Sequence, residues 1–95
     1  MESVKQNAKN LARLLKVLAN EYRLMILCCL LEEPHTVSAL GQKITQISPS
    51  ALSQHLANLK ANGIVDSIKK AQSVTYFIVD KNIRDLMMTL KDNYC

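Results

Sequence analysis

The three cysteines of the chain are the side chains with the most reactive chemistry. Cys28 and Cys29 are neighbours in an apolar segment, and Cys95 is distant from them in the sequence. A disulfide between Cys28 and Cys29 is unfavourable within a helix, because adjacent side chains diverge. A bridge to Cys95 requires the fold to bring distant residues together. Spacing alone favours the other interpretation, in which Cys28 and Cys29 are small core hydrophobes.

The cysteine count and the apolar runs indicate a compartment. An odd number of cysteines argues against a structural disulfide framework. The polar segment 1–7 does not resemble a signal peptide. The longest apolar run, Leu24–Leu31, has eight residues, whereas a membrane span needs about 18. We therefore expect a cytoplasmic protein with no membrane association, whose thiols are reduced at rest.

A second group of chemically competent side chains lies on the predicted helix Ser50–Asn62. Its apolar stripe is Leu52, Leu56 and Leu59, and the polar residues away from this stripe are Ser50, Ser53, Gln54 and Asn58. Amide side chains can pair with adenine, and serine can bond a base or a phosphate. The helix is therefore predicted to read a DNA major groove, although a solvated face has the same pattern. His55 lies at the edge of the stripe. Its side chain is expected to pack against the protein, to contact a phosphate or to contact a base.

Helical periodicity predicts the elements that position these residues. The expected helices are Ser3–Leu18, Glu21–Glu33, a short helix from Thr36 or Val37 to Thr45, and a helix from Pro49 to Gly63. Asn20 and Ser48 are suitable N-caps. The last two helices are separated by about three residues, which is typical of a helix-turn-helix.

After Gly63 the apolar period changes from helical to alternating. One strand begins at Ile64 and a second contains Val74, Tyr76 and Ile78, with 69–73 as the connecting hairpin. Asp80 is expected to cap a final helix. The fold class is therefore mainly α with a β-hairpin, in the order α-α-α-α-β-β-α, and residues 1–95 form a single winged helix-turn-helix domain.

Composition excludes some functions and leaves others open. Of the 95 residues, 48% are hydrophobic, which is enough for a core, while two glycines are too few for a Rossmann or P-loop nucleotide site. The net charge of +4 suits a polyanionic partner without proving one. The lysines around the predicted helix-turn-helix and hairpin are available for phosphates, and they are Lys43, Lys60, Lys69 and Lys70.

Three segments of the predicted helix-turn-helix form a recognisable pattern, and they are Ser50-Ala51-Leu52-Ser53-Gln54-His55-Leu56, Leu59-Lys60 and Gly63-Ile64-Val65. This pattern resembles the helix-turn-helix signature of the ArsR/SmtB family of winged-helix transcriptional regulators. It implies a homodimer, with the first and last helices at the interface, bound to double-stranded palindromic operator DNA. By position, it implies that the recognition helix contacts DNA through Ser50, Ser53, Gln54 and His55, and the wing through Lys69, Lys70 and Gln72.

Most members of that family sense metals, and the ligand patterns for this are incomplete here. The C-x-C pair before the recognition helix is absent, and the last helix offers Asp85 and Asp92 but no histidine. We therefore expect no metal site and no cofactor. The alternative within the family is a metal- or arsenite-responsive repressor that binds a thiophilic ion on the three sulfurs.

Three further segments are similar to the thiol- and persulfide-responsive subgroup of the family. They are 23–28, 70–76, in which Ala71-Gln72 replaces the usual wing glycine, and 90–95. The resemblance implies that Cys28 and Cys95 form a dithiol switch, which reacts with sulfane sulfur or oxidants. Cys29 departs from the pattern and is either a third thiol or, as we favour, core filling.

These observations predict a homodimeric repressor that releases operator DNA when Cys28 and Cys95 are oxidised or persulfidated by reactive sulfur or oxygen species. A thiol enzyme is not expected, because no His, Asp or Asn is evidently placed to activate Cys28. The alternative from another class is a helical protein–protein interaction module.

Overall fold

A computed structural model describes residues 1–95 and contains five helices and three strands. They are α1 Glu2–Leu18, α2 Glu21–Glu32, β1 His35–Thr36, α3 Val37–Lys43, α4 Pro49–Ala61, β2 Val65–Lys70, β3 Ser73–Ile78 and α5 Lys81–Tyr94. The mainly helical winged helix-turn-helix architecture is therefore confirmed. No helix combines the length and the apolarity needed to cross a membrane.

The predicted element order was wrong at one point, because it lacked strand β1. This strand pairs antiparallel with β3, with His35 opposite Tyr76 and Thr36 opposite Thr75, so the sheet has three strands in the order β1-β3-β2. Two residues are too few to show a period of two. The strand exists because the chain leaving α2 passes alongside the hairpin, which is a tertiary contact.

The predicted helix boundaries are confirmed where a side chain caps them. Asn20 accepts hydrogen bonds from the backbone N–H groups of Tyr22 and Arg23, at 3.0 and 3.1 Å. The caps of α4 and α5 are Ser48 and Asp80. Such bonds satisfy N–H groups that the first helical turn leaves free. Gly63 follows α4 with a φ of 73°, the left-handed conformation that favours glycine after a helix.

The hairpin turn is tighter than predicted. Residues 69–73 were expected to form the connection, but the strands extend to Lys70 and from Ser73, so only Ala71 and Gln72 make the turn. Ala71 has a φ of 54°. Glycine adopts this conformation readily, whereas the Cβ of other residues is crowded by the backbone.

Replacing Ala71 with glycine (Ala71→Gly) is expected to stabilise the fold. Relief of the left-handed strain, about 1–2 kcal/mol, exceeds the extra backbone entropy of glycine, about 0.5–1 kcal/mol. The free energy of unfolding in urea should therefore rise by about 0.5–1 kcal/mol. The matched control is Gln72→Gly. This substitution raises the backbone entropy of the unfolded chain without relieving the strain at Ala71, so it should lower the free energy of unfolding. Equal effects of the two substitutions would contradict the assigned turn.

Helix α2 lies at the centre of a single hydrophobic core. Its Ile26, Leu27 and Leu30 are buried, and they pack in one cluster with the predicted stripe of α4, whose members are Leu52, Leu56 and Leu59. Helix α2 contacts both α4 and α5. The helix that carries two of the three cysteines is therefore packed against the predicted recognition helix.

Candidate functional site

Cys28 and Cys95 are joined by a disulfide in the structure. Their Cα atoms lie 5.5 Å apart, within the usual range for such a bond. Cys28 is half-buried in α2, and Cys95 is exposed immediately after α5. The proximity that the sequence left open is therefore present, and the bond links the central helix to the last helix.

Three cavities of different character border the disulfide. One has a volume of about 530 Å³ and is mostly apolar, and its charged lining residues are Glu21 and Lys43. A second, of about 220 Å³, has the charged lining residues Glu32, Lys91 and Asp92. A third, of about 390 Å³, has no charged residue in its lining. A reagent therefore meets the sulfurs either from a largely apolar side or from a side where carboxylates outnumber cations.

Cys29 is the free cysteine of the structure and lines the larger cavity. It is half-buried and packs against the core. Burial raises the pKa of the Cys29 thiol above its ordinary value, since a thiolate loses solvation there; the charge of Lys43 opposes this shift, and Glu32 adds to it. Cys29 is therefore a weaker nucleophile at neutral pH than an ordinary exposed thiol.

The N-terminal part of the polar face of α4 forms no side-chain hydrogen bonds within the chain, whereas Asn58 farther along it accepts one from Asn62. Ser50, Ser53 and Gln54 are exposed, and none of their side chains forms a hydrogen bond. They lie opposite the buried leucine stripe near the N-terminus of α4, the part of a recognition helix that approaches base edges in helix-turn-helix complexes. The structure thus brings three of the sequence-predicted residues onto one accessible surface.

His55 is placed differently from the other three. It is half-buried, and its Nδ1 accepts a hydrogen bond from Arg23 Nε at 3.3 Å. Its ring centroid lies 6.0 Å from that of Tyr22. The side chain of His55 therefore contacts α2, which agrees with the packed alternative left open by the sequence.

Arg23 is a positioning residue that the sequence analysis missed. Besides its bond to His55, its Nη1 donates to the backbone oxygen of Val17 at 3.0 Å. One side chain thus connects α1, α2 and α4. The available signal was the single cation within a helix that is otherwise apolar almost all round.

The candidate lysines divide into engaged and free groups. Lys60 donates to Ser67 Oγ at 2.9 Å and forms an ion pair with Asp66 at 3.7 Å. Lys43 contacts His35 at 2.9 Å. Lys69 and Lys70, with Gln72, are exposed on the wing and have no side-chain partner. The wing lysines are therefore the ones available to phosphates without breaking an existing contact.

No group of three or more His, Cys, Asp or Glu side chains is gathered in a way that could hold a metal ion. The two histidines have different hydrogen-bond partners, since His35 is bonded to Glu33 and Lys43, and His55 to Arg23. The disulfide occupies two of the three sulfurs on which a thiophilic ion was considered.

Comparison with known proteins identifies relatives along the whole chain. The family described as "bacterial regulatory protein, arsR family" matches residues 20–67. The HTH-type transcriptional regulator YgaV of Escherichia coli is 37% identical over 95 residues, covering 100% of this chain and 96% of YgaV. The transcriptional activator HlyU of Vibrio cholerae is 38% identical over 95 residues, covering 100% of this chain and 87% of HlyU.

Solved structures agree with this assignment. Reduced HlyU from Vibrio cholerae superposes with a TM-score of 0.91 at 38% identity, covering 100% of this chain and 99% of the other. The transcriptional repressor BigR from Xylella fastidiosa superposes with a TM-score of 0.86 at 32% identity, covering 99% and 92%. Both are regulators of transcription rather than enzymes, and they include an activator and a repressor.

Proposed function

Since the chain belongs to the arsR family and is a transcriptional regulator of that family, we propose that it represses transcription as a homodimer and releases operator DNA when Cys28 and Cys95 are oxidised or persulfidated. The observation that carries this proposal is the direct link between the two cysteines. The protein acts in the cytoplasm, where such a bond is transient and therefore suited to signalling.

The dimer explains apolar side chains that the single chain leaves exposed. Leu11 and Leu15 of α1 are 51% and 46% exposed, and Met88 of α5 is 44% exposed. A further cavity of about 560 Å³ lies between these two helices. Covering such residues with the same helices of a second copy removes apolar surface from water, which is the main favourable term in association.

The DNA-binding surface combines two kinds of contact. Ser50, Ser53 and Gln54 supply hydrogen bonds to base edges, and the wing residues Lys69, Lys70 and Gln72 supply contacts to the backbone. His55 lies on the side of α4 that faces α2, and its hydrogen bond to Arg23 helps to orient α4 against α2. In a dimer, two such helices reach successive major grooves about 34 Å apart.

These two kinds of contact predict different mutational effects. Gln54→Ala should lower the preference for operator over unrelated DNA by about 1–3 kcal/mol, because a base-specific pair is lost. The double variant Lys69→Ala/Lys70→Ala should weaken binding to all DNA and reduce the salt slope by about 1 for each phosphate contact removed. The measurement is a salt titration of binding to the DNA upstream of its own gene. Unchanged binding in both variants would favour the protein-interaction alternative.

The switch follows from the position of α2. A bond between Cys28 and Cys95 restrains α5, an interface helix of the proposed dimer, relative to the helix that packs on α4. If the bonded form favours a different separation of the two recognition helices, operator affinity falls. A coupling of about 1–3 kcal/mol corresponds to a 5- to 150-fold change.

The test treats the reduced protein in parallel with polysulfide and with hydrogen peroxide. Mass spectrometry identifies the adduct and the sulfurs that carry it, and an operator gel shift measures release. We expect a Cys28–Cys95 disulfide or polysulfide bridge together with loss of DNA binding. A bridge that forms without any change in operator affinity would overturn the proposal.

A further inference from the structure

We propose that the 530 Å³ cavity beside the two cysteines binds the ionised sulfane-sulfur donor, a hydropolysulfide or persulfide anion, and that Lys43 stabilises its negative charge. This inference rests on the proposed function and adds to it a binding site, a ligand class and a positioning residue.

The walls of the cavity suit a small, soft anion. All three cysteines line it, and its apolar lining residues are Leu24, Met25, Ile44 and Tyr94. Its volume lies in the range of small-molecule sites. Sulfur chains are weakly hydrated at their neutral atoms, so apolar walls accommodate them while one cation balances the charge.

Lys43 is anchored at this cavity by a buried histidine. Its ammonium donates to His35 Nε2 at 2.9 Å, and His35 Nδ1 donates to the backbone oxygen of Glu33 at 2.8 Å. His35 is only 5% exposed, so the exposed side chain of Lys43 is bonded to a buried partner. An ammonium has three donors, and the bond to His35 occupies one, which leaves donors for an anion.

The charge of Lys43 reaches Cys29, the neighbour of Cys28 in the cavity lining. It lowers the pKa of the Cys29 thiol, whereas burial, the larger effect, and the charge of Glu32 raise it. The carboxylate that shares the cavity, Glu21, lies in the first turn of α2. There the positive end of the helix dipole partly offsets its charge, so Glu21 opposes Lys43 less than a carboxylate elsewhere on the helix would.

The opposite approach to the disulfide disfavours an anion. The 220 Å³ cavity has one cation, Lys91, and two carboxylates, Glu32 and Asp92. The cavity lined by Lys43 has one carboxylate, Glu21, for its one cation, so an anionic reagent is repelled less there than beside Lys91. Lys91 therefore serves as a matched control, since it also lines a cavity that contains both sulfurs.

The reaction consumes one donor for each bridge. A thiolate of the pair attacks hydrodisulfide, Cys–S⁻ + HS–S⁻, to give the persulfide Cys–S–S⁻ and release HS⁻. After protonation of the persulfide, the second thiolate attacks its cysteine sulfur, the S–S bond breaks and a second HS⁻ leaves. The two cysteines lose two electrons, and the sulfane sulfur gains them. Lys43 stabilises the anion that arrives and the hydrosulfide that leaves.

The test compares two alkylating probes of similar size and different charge. In the reduced protein with Cys29→Ser as background, the alkylation rates of Cys28 and Cys95 are measured with anionic iodoacetate and neutral iodoacetamide. Lys43→Gln should lower the iodoacetate-to-iodoacetamide ratio about 3- to 10-fold, the effect of one charge at close range in solvent. Lys91→Gln should not lower this ratio, and Lys43→Arg should keep the ratio close to that of the Cys29→Ser background. The rate with polysulfide should fall in parallel, while the rate with neutral hydrogen peroxide stays unchanged.

An iodoacetate ratio that is equal in Lys43→Gln and Lys91→Gln would overturn this inference. The alkylation experiment needs no DNA, so its failure is separable from failure of the proposed function. If Lys43→Gln lowers the iodoacetate-to-iodoacetamide ratio but polysulfide does not change operator binding, the cavity assignment is supported and the proposed regulatory role is excluded.

Discussion

The Cys28→Ser and Cys95→Ser variants are expected to bind operator DNA with the affinity of the reduced protein and to keep it after polysulfide treatment. Neither can form the bond between α2 and α5. The unaltered protein is expected to lose operator affinity 5- to 150-fold on polysulfide treatment, whereas the affinity of these variants should not change. The measurement is a gel shift with each variant before and after treatment.

The matched control is Cys29→Ser, which removes a neighbouring sulfur and leaves the pair intact. It should release DNA as the unaltered protein does. A ligand or modification changes an equilibrium only if it favours the two conformations unequally, so response must depend on both partners of the bond. A Cys28→Ser protein that still releases DNA would exclude Cys28 from the switch.

The second large effect concerns stability. The disulfide joins residues 67 apart in sequence, and closing a loop of this length in the unfolded chain corresponds to about 4 kcal/mol. The oxidised protein should therefore unfold in urea with a free energy about 4 kcal/mol higher than the reduced protein. In a chain of this size, each kcal/mol shifts Tm by about 4–8 °C.

Two variants check that this difference comes from the bond. Cys28→Ser should show the same stability with and without oxidant, whereas Cys29→Ser should retain the difference. Protein concentration must be held constant, because dimerisation itself contributes to apparent stability. Equal stabilities of oxidised and reduced protein would mean that the reduced chain already keeps α5 docked on α2 when the remainder unfolds.

The sequence predicted the local features of the fold correctly. Asn20, Ser48 and Asp80 cap the helices at which they were predicted, and Gly63 follows α4 in the left-handed conformation. The polar face of α4 and its buried stripe also followed from spacing. These features depend on interactions within about four residues, such as helical periodicity, capping and backbone preferences.

The tertiary structure decided which distant side chains meet. Strand β1 pairs with β3, and His55 is hydrogen-bonded to Arg23. Lys43 is hydrogen-bonded to His35, whereas the two wing lysines have no partner. The tertiary structure also brought Cys95 to Cys28, a proximity that family resemblance implied but residue spacing left open. Each of these contacts joins segments that are separated in the chain, and their distance depends on how α2, α4 and α5 pack around one core. Periodicity specifies the face that a helix buries, whereas packing specifies the partner it is buried against.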